Sequence, residues 1–570
     1  MTELLQYALF GLMLGCIYAI AAMGLVLTYT VTGVFNFAHG AVGMICAFCY
    51  YELRVELGWP APLSAAVIVI CLAPLMGLVA ERLLRRFSGA GTSTSLVVTV
   101  ALTVALLGFA QKVFDQSVAR NVPYLFGDNQ IVVASVPISY DRMAQVAIAV
   151  IIAFGLRYIL FDTGTGAQMR SVVDDPQLAR LHGVQAVRIA RYSWMIGFML
   201  AATGGILFAA GQNLQAILLT FLVLNAYAAA MVGRLRSLPM TFVGALALGL
   251  TQELTNVSWL WPDGETFIHL RNAIPGLFLV IAVALVPSAR LAAGRVVGVA
   301  QPPVPSIRKA VGASVVLIGL VALLVVSLPE EYHVHIVRAL VIGVIALSLV
   351  VLTGLSGQLS LAQFLFLGVG AFVSASVFGN GTVIGMLAGG VVAALLGVIV
   401  ALPAVRLQGL HLALATFGVA LAGRELLIGD TRVFGLGGKA IARPSVLGLS
   451  TSSEAAFAVW CAFLFCAIAV AIVAARRSRI GRLLTAVRDS EVAAATMGMR
   501  VRTAKVLVFA VSAFIAGCAG SLYGGLQGVV DATQLEPVYG LVIVLFVFVG
   551  GVTSVTGALI AGTLFSLLAF

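Results

Sequence analysis

The chain has 570 residues, of which 61% are hydrophobic and only 10% charged, and its formal net charge is +11. A soluble globular protein has roughly a quarter of its residues charged, so this composition excludes an ordinary water-exposed surface and indicates a chain surrounded by lipid. Its apolar runs do not alternate with the period of a strand, which argues against a transmembrane β-barrel. The expected fold is an all-α polytopic membrane protein.

About eighteen hydrophobic segments follow one another along the chain, and many are long enough to cross the ~30 Å hydrocarbon core as helices. In the first half they are 7–29, 36–52, 61–80, 93–113, 143–160, 193–210, 214–232, 240–256 and 272–288. In the second half they are 310–328, 336–353, 359–378, 382–402, 409–428, 455–474, 506–526, 537–550 and 557–570.

The basic loops indicate an orientation. If Met1 lies outside, six basic loops all lie on the same side of the membrane. They are the loops around Arg82, Arg170, Arg234, Arg295, Arg406 and Arg482. Cytoplasmic loops are enriched in Lys and Arg, so this side is expected to be cytoplasmic and the N-terminus outside. The positive charge is then a property of the topology, and we expect no nucleic-acid partner.

Two polar loops repeat one pattern at a constant offset of 315 residues, since residues 166–183 align without a gap on residues 481–498. The matched positions that we single out are Gly166, Asp174, Ala179 and Gly183 in the first loop and Gly481, Asp489, Ala494 and Gly498 in the second. A block at 22–38 also matches 346–362, and Gly233 and Ser237 match Gly550 and Ser554. Three blocks in one order predict two related halves.

The proline-containing, basic stretch 289–309 has the composition of a cytoplasmic linker between a half at 1–288 and a half at 310–570. The additional segment 310–328 brings the chain back across the membrane before the second repeat begins. Both halves then share one orientation and form a parallel, pseudo-symmetric pair. The second half is shorter after its last matched block, so we expect it to be incomplete at its C-terminus.

Each repeated loop is expected to form a short amphipathic helix. In the first loop Met169, Val172, Val173 and Leu178 would form the apolar side, with Gly166 and Gly183 at the ends of the helix. A solvated connection would need no such repetition. The repetition therefore favours a docking helix for a cytoplasmic partner.

Polar residues at membrane depth are candidates for a translocation path, because an unpaired polar group is costly in lipid. The candidates in equivalent places are Asn36 and His39 in the first half and Ser360 and Gln363 in the second. Gly33 and Gly357 could interrupt the preceding helices there. The alternative is that these side chains form hydrogen bonds between helices at the seam of the two halves. Asn225, Gln252 and Glu253 are weaker candidates near a helix end.

Three motifs resemble those of a known transporter family. The sequence GVFNFAHG at 33–40 resembles the GxxNFAHG signature of LivH permeases of branched-chain amino acid transporters. The sequence GLSGQLSLAQ at 354–363 is similar to the GxxGQxSxGH signature of LivM permeases, with Gln363 at the usual histidine position. Residues 405–417 resemble a further LivM stretch, and both repeated loops resemble the coupling loop of ABC importer permeases. The order of these motifs is that of a LivH–LivM fusion.

This resemblance implies a permease subunit of an ABC importer in the bacterial plasma (inner) membrane, carrying branched-chain amino acids or a related small polar solute. It implies two ATPase subunits docked on the coupling loops and an extracytoplasmic solute-binding protein. No G-x-x-x-x-G-K-[ST] motif occurs, so we expect a transporter that is not itself an enzyme, with no cofactor or metal.

An ion-coupled secondary transporter is the main alternative. It would require ionisable residues inside the helices, and the midspan regions have almost none.

Overall fold

A computed structural model describes residues 2–568 except the stretches and single positions 88–91, 116, 128, 134–135, 258–263, 286–302, 377–380, 408, 430–434, 436, 446–450 and 452. The chain forms two compact units, Met1–Val286 and Pro287–Phe570. Each is built almost entirely of helices.

In the first unit the α-helices are Thr2–Thr32, His39–Tyr51, Ala61–Val67, Ala73–Arg85, Thr92–Val113, Tyr140–Asp162, Gly164–Asp174, Pro176–Leu181, Ala186–Ala209, Ala216–Val232, Leu238–Leu254 and Gly264–Leu285. Wider π-helical turns occur at Glu52–Glu56 and Ile68–Leu72. Strands Gln130–Val133 and Val136–Ser139 pair antiparallel, with Gln130 opposite Ser139 and Val133 opposite Val136.

In the second unit the α-helices are Ile307–Ser327, Glu330–Leu349, Gln363–Ser376, Val383–Ala404, Leu410–Gly423, Glu454–Arg477, Arg479–Asp489, Glu491–Thr496, Val501–Gln527, Pro537–Gly550 and Val555–Leu567. Val350–Leu355 and Arg424–Ile428 are π-helical, and Ala532–Leu535 is a 3₁₀ turn. The short strands Lys439–Ala440 and Val529–Val530 pair antiparallel.

Within the described residues, 12 helices are long and apolar enough to cross a membrane, and five further apolar helices are shorter. The chain is therefore a helical, multi-pass membrane protein, as its composition predicts. The expected count of about eighteen hydrophobic segments is not confirmed by these twelve helices. Segments such as 214–232 and 240–256 form helices of only 17 residues.

The predicted linker 289–309 lies mainly outside the described residues. Its last three residues belong to the helix Ile307–Ser327, because the Ser306 side chain accepts the Lys309 amide at 3.3 Å and starts the helix earlier than hydropathy suggests.

Two helices expose most of their apolar surface. Only 11% of the most apolar window of Tyr140–Asp162 is buried, and the value for Ile307–Ser327 is the same. Ile151 is 69% exposed and Val326 is 86% exposed. Such surfaces are stable against lipid chains, so these two helices lie at the periphery of their units.

Glycines allow close helix contacts inside each unit. In the first unit Gly249 lies against the backbone of Gly11 and Gly15, and a methyl group on Gly249 would overlap both. In the second unit Gly389 lies against the backbone of Gly370 in the same way. Small residues let helix backbones approach closely, and this packing gains dispersion energy that lipid does not supply.

Candidate functional site

The first unit contains a break between two helices at residues 33–40, which we call the first break. The preceding helix ends at Gly33, whose φ of +68° is a left-handed conformation that glycine adopts most easily. The next helix begins at His39. Just before it, the Asn36 Oδ1 accepts the Ala38 amide at 3.0 Å and holds the turn that starts this helix.

The second unit has a break of the same construction at residues 357–364, the second break. Gly357 has a φ of +71°, and the following helix begins at Gln363. Here the Ser360 Oγ accepts the Ala362 amide at 3.2 Å, as Asn36 does in the first break. The predicted interruption of a helix by glycine is confirmed in both units.

The polar side chains of the first break are buried without full hydrogen bonding. Asn36 is 0% and His39 is 1% exposed. Among the described residues, the Asn36 Nδ2 and both His39 ring nitrogens have no hydrogen-bond partner. The backbone of Ala21 is close enough to interact with the imidazole, but not in hydrogen-bonding geometry. Buried polar atoms are usually paired, so these three are candidates for contact with a passing solute or water.

In the second break, both the oxygen and the nitrogen of the Gln363 side-chain amide are hydrogen-bonded. Its Oε1 accepts from the Ser348 hydroxyl at 3.1 Å, and its Nε2 donates to the Ser512 Oγ at 3.3 Å. The Ser512 hydroxyl donates in turn to the Ser348 carbonyl oxygen at 2.8 Å. These bonds join the helices Glu330–Leu349 and Val501–Gln527, so Gln363 has an interhelical role within its own unit. Its part in a solute path remains a prediction.

The first repeated loop folds as a pair of short helices, Gly164–Asp174 and Pro176–Leu181, which we call the first elbow. The prediction of one amphipathic helix is wrong here. Asp175 has an extended backbone and its carboxylate accepts the Gln177 amide at 2.8 Å, so it caps the second helix and interrupts the first.

The second elbow, Arg479–Asp489 and Glu491–Thr496, is built in the same way. Ser490 stands at the equivalent of Asp175, and its hydroxyl accepts the Ala493 amide at 3.2 Å. A short polar cap followed by a six-residue helix is thus common to both elbows.

Both elbows end on a glycine turn. Gly183 and Gly498 each have a φ of +80°. The Val184 amide donates to the Ala179 carbonyl oxygen at 3.0 Å, and the Met499 amide donates to the Ala494 carbonyl oxygen at 3.1 Å. This bond across the last turn is the Schellman motif, in which the left-handed residue is usually glycine. The predicted role of Gly183 and Gly498 as terminators is confirmed.

Gly166 was expected to end a helix, and this prediction is wrong. Neither Gly166 nor its equivalent Gly481 ends a helix. Each lies in the first turn of its elbow against the end of the preceding helix. A methyl group on Gly166 would overlap the Ile159 carbonyl oxygen, and one on Gly481 would overlap the Arg476 carbonyl oxygen. These glycines therefore permit a sharp bend between a long helix and its elbow.

The sequence model described as "Branched-chain amino acid transport system / permease component" matches the chain twice, at residues 7–283 and 334–569. These matches cover most of both units. The chain belongs to this family.

Individual permeases are similar to the chain at low identity. The high-affinity branched-chain amino acid permease protein BraD of Pseudomonas aeruginosa is 27% identical over 262 residues, which cover 44% of the chain and 85% of BraD. LivH of Escherichia coli is 25% identical over 265 residues, 44% of the chain and 86% of LivH. LivM of Escherichia coli is 28% identical over 249 residues, 39% of the chain and 59% of LivM. The chain is thus a permease component of an ABC transporter and not itself an enzyme.

In this permease, the first elbow is attached to its unit by apolar packing. Met169 and Val172 are 1% and 5% exposed and lie in one buried cluster with Met23, Leu27 and Val31 of the first helix. Ala179 belongs to the same cluster. Val173 and Leu178, which were expected on the apolar side, are instead 42% and 52% exposed.

The second elbow is attached through polar contacts as well. The Arg488 guanidinium donates to the Gly354 carbonyl oxygen at 3.0 Å and pairs with Asp489 at 2.8 Å. Its side chain also lies against Gly357 of the second break. Glu491 forms an ion pair with Lys505, whose side chain is only 3% exposed. The elbow therefore contacts the membrane break directly.

These long-range contacts were not found by sequence reasoning. Arg488 and Gly354 are 134 residues apart, and Asp174, the equivalent of Asp489, is exposed with no arginine before it. The Asp-Pro dipeptide at 175–176 and the Asp-Ser dipeptide at 489–490 could have predicted the cap of the second helix in each elbow.

In the part of the chain that the structure describes, no three His, Cys, Asp or Glu side chains gather as a metal site requires.

Both elbows expose apolar side chains. In the first elbow Leu178 is 52% and Leu181 is 84% exposed. In the second, Ile480 is 56%, Val492 is 49% and Met497 is 68% exposed. A group of exposed apolar side chains framed by polar residues is typical of a protein–protein contact.

Proposed function

We propose that this chain is the transmembrane subunit of an ABC importer in which two separate ATPase subunits dock on the two elbows. The observation that carries the proposal is the repetition of one two-helix elbow with a polar cap at the equivalent place and a glycine at the end. Two similar apolar docking surfaces are what two similar ATPase subunits require. The residues that we assign to docking and coupling are Gly166, Asp174, Ala179 and Gly183, with Gly481, Asp489, Ala494 and Gly498.

The proposed topology places the N-terminus outside and both elbows in the cytoplasm. The distribution of basic loops along the sequence supports this orientation. We assign residues 1–288 to a LivH-like half and 310–570 to a LivM-like half, in parallel pseudo-symmetric orientation, with 289–309 as the cytoplasmic linker. The twofold match of the family supports two permease halves in one chain.

We propose branched-chain amino acids, or a related small polar solute, as the transported class. The names of the similar permeases support this class. An extracytoplasmic binding protein would deliver the solute, and ATP binding and hydrolysis in the docked subunits would switch access between the two sides. Asn36, His39, Ser360 and Gln363 are the proposed path residues.

The first test is reconstitution of the chain in vesicles with and without the ATPase subunits and the binding protein. We expect the chain alone to hydrolyse no ATP, and L-leucine uptake to require all components and ATP. Uptake driven by an ion gradient without ATPase subunits would contradict the importer and favour a secondary transporter.

The second test concerns the elbows. Gly183→Leu and Gly498→Leu place a large side chain at a left-handed position, so we expect loss of ATP-driven uptake with unchanged docking of the binding protein. The control is Gly319→Leu, at a helical glycine with open space around it. Normal coupling in both elbow variants would contradict the docking assignment.

A further inference from the structure

A polar cavity of about 210 Å³ lies inside the first unit. Its polar lining includes Tyr124, Asp141, Arg142, Gln145 and Glu253. Taking ~30 Å³ for each water, the volume corresponds to roughly seven water molecules, enough for a solute of fewer than about ten non-hydrogen atoms.

The cavity lies at the end of the unit opposite to the first elbow. Arg142 is in the first turn of helix Tyr140–Asp162, and the elbow begins at Gly164 after this helix ends. At 1.5 Å per residue, roughly 33 Å of helix separates the two, about the thickness of the hydrocarbon core. Helix Ala186–Ala209 leaves the elbow and ends beside the cavity, which Leu207 and Phe208 also line.

Arg142 supplies an unpaired cation to this cavity. Its guanidinium carbon lies 3.6 Å from the centre of the Phe10 ring, so the ring covers one face of the group. Within the described residues, no carboxylate forms an ion pair with Arg142; Glu253 attracts its charge from a greater distance and is itself paired with Arg271. The planar guanidinium carries five N–H donors in a fork that matches the geometry of a carboxylate.

The acidic groups of the cavity are held in place by other bonds. The Asp141 carboxylate accepts the Leu125 amide at 2.6 Å and the Phe126 amide at 3.3 Å. Glu253 pairs with Arg271 at 3.1 Å. Each carboxylate oxygen can accept further hydrogen bonds, so a second positive group could be bound there while Arg142 stays free for an anion.

We propose that this cavity is an entry site for a small zwitterion of the α-amino acid class. Arg142 binds the carboxylate, Glu253 and Asp141 face the ammonium group, and the apolar lining, which includes Ile17 and Phe208, receives the side chain. The placement of this site on the extracytoplasmic side rests on the proposed function, because the elbow at the other end of the unit is assigned to the cytoplasm.

The test is equilibrium binding of radiolabelled L-leucine to the full chain in lipid nanodiscs, with unlabelled L-leucine and L-leucinamide as competitors. Leucinamide keeps the ammonium group and lacks the carboxylate. We expect the native chain to prefer leucine by about tenfold or more, and Arg142→Gln to weaken leucine binding by about tenfold and remove this preference. Arg142→Lys should retain part of it.

The matched control is Arg157→Gln, on the same helix, exposed and outside the cavity lining. It should bind leucine as the native chain does. Absence of saturable leucine binding by the native chain, equal competition by leucinamide, or an unchanged preference in Arg142→Gln would each overturn the site. The preference for leucine over leucinamide is measured on the native chain, so a variant that misfolds does not prevent the test.

Uptake measurements separate this inference from the proposed function. An unchanged KM for ATP-driven leucine uptake in Arg142→Gln would overturn the site and leave the importer standing. Carboxylate-dependent leucine binding by a chain that shows no ATP-driven uptake with its partners would overturn the importer and leave the site standing.

Discussion

The two breaks share one backbone plan and differ in how their side chains are held. His39 begins the helix after the first break without a well-formed hydrogen bond, whereas Gln363, at the equivalent place, bonds to two serines. At the offsets of the repeat, glycines stand in the first unit where these serines stand in the second: Gly24 at the place of Ser348 and Gly197 at the place of Ser512. The first residue of the helix after the break and the two residues at its contact positions therefore all differ between the two units.

The elbows show the same contrast. The first is attached by buried apolar residues, and the second also by the contacts of Arg488 and by the ion pair of Glu491 with Lys505. One arrangement of backbone can thus be stabilised by apolar packing or by a polar network. The polar version should be more sensitive to single substitutions, because removing one partner leaves another polar group buried and unpaired.

The largest expected effect is that of Glu491→Gln. It leaves the Lys505 ammonium buried without its carboxylate, and breaking a buried pair in this way destabilises a protein by about 3 kcal/mol. Thermal unfolding of the purified chain in detergent would show a lower midpoint. Glu331→Gln, at an exposed helix start, is the control and should leave the midpoint unchanged.

The comparison of the breaks is tested by Gln363→Leu and His39→Leu. The first removes two interhelical hydrogen bonds and should destabilise the chain by about 2 kcal/mol, at about 1 kcal/mol for each bond. The second removes no well-formed hydrogen bond, so the unfolding midpoint should stay or rise. Equal destabilisation by both variants would show that the breaks are held alike.

Exchange of one residue tests the difference between the elbows. Arg488→Val gives the second elbow the residue that the first has at Val173, and it removes the bond to the Gly354 carbonyl oxygen. We expect a loss of about 1.5 kcal/mol and less solute transported per ATP in the reconstituted system. In the reciprocal Val173→Arg, at an exposed position, both quantities should remain near the native values.

The smallest expected effect concerns the glycine ends that the elbows share. Gly183→Ala and Gly498→Ala meet no neighbouring atom, so the destabilisation comes from the left-handed backbone alone, about 1 kcal/mol for each. Gly319→Ala, in a regular helix with open space, should stabilise slightly, by about 0.5 kcal/mol. A larger loss in one elbow than in the other would show that their ends are not equivalent.

Much of the local structure could be predicted from the sequence. Gly33, Gly357 and Gly183 interrupt or end helices, as predicted, and in the structure these three and Gly498 have positive φ. The division of each elbow into two helices was missed, because the hydrophobic pattern continues across Asp175 while the cap at that residue interrupts the backbone. Amphipathic periodicity alone does not register a single extended residue.

A helical membrane protein with two related permease segments could be predicted from the amino acids alone, because apolar run length, basic loops and glycine turns act through local chemistry and lipid solvation. Which polar groups meet depends on the packing of distant helices. Ser512 and Ser348 are 164 residues apart, and no local pattern specifies such a pair. The same is true of the cavity around Arg142, which forms where several helix ends and loops come together.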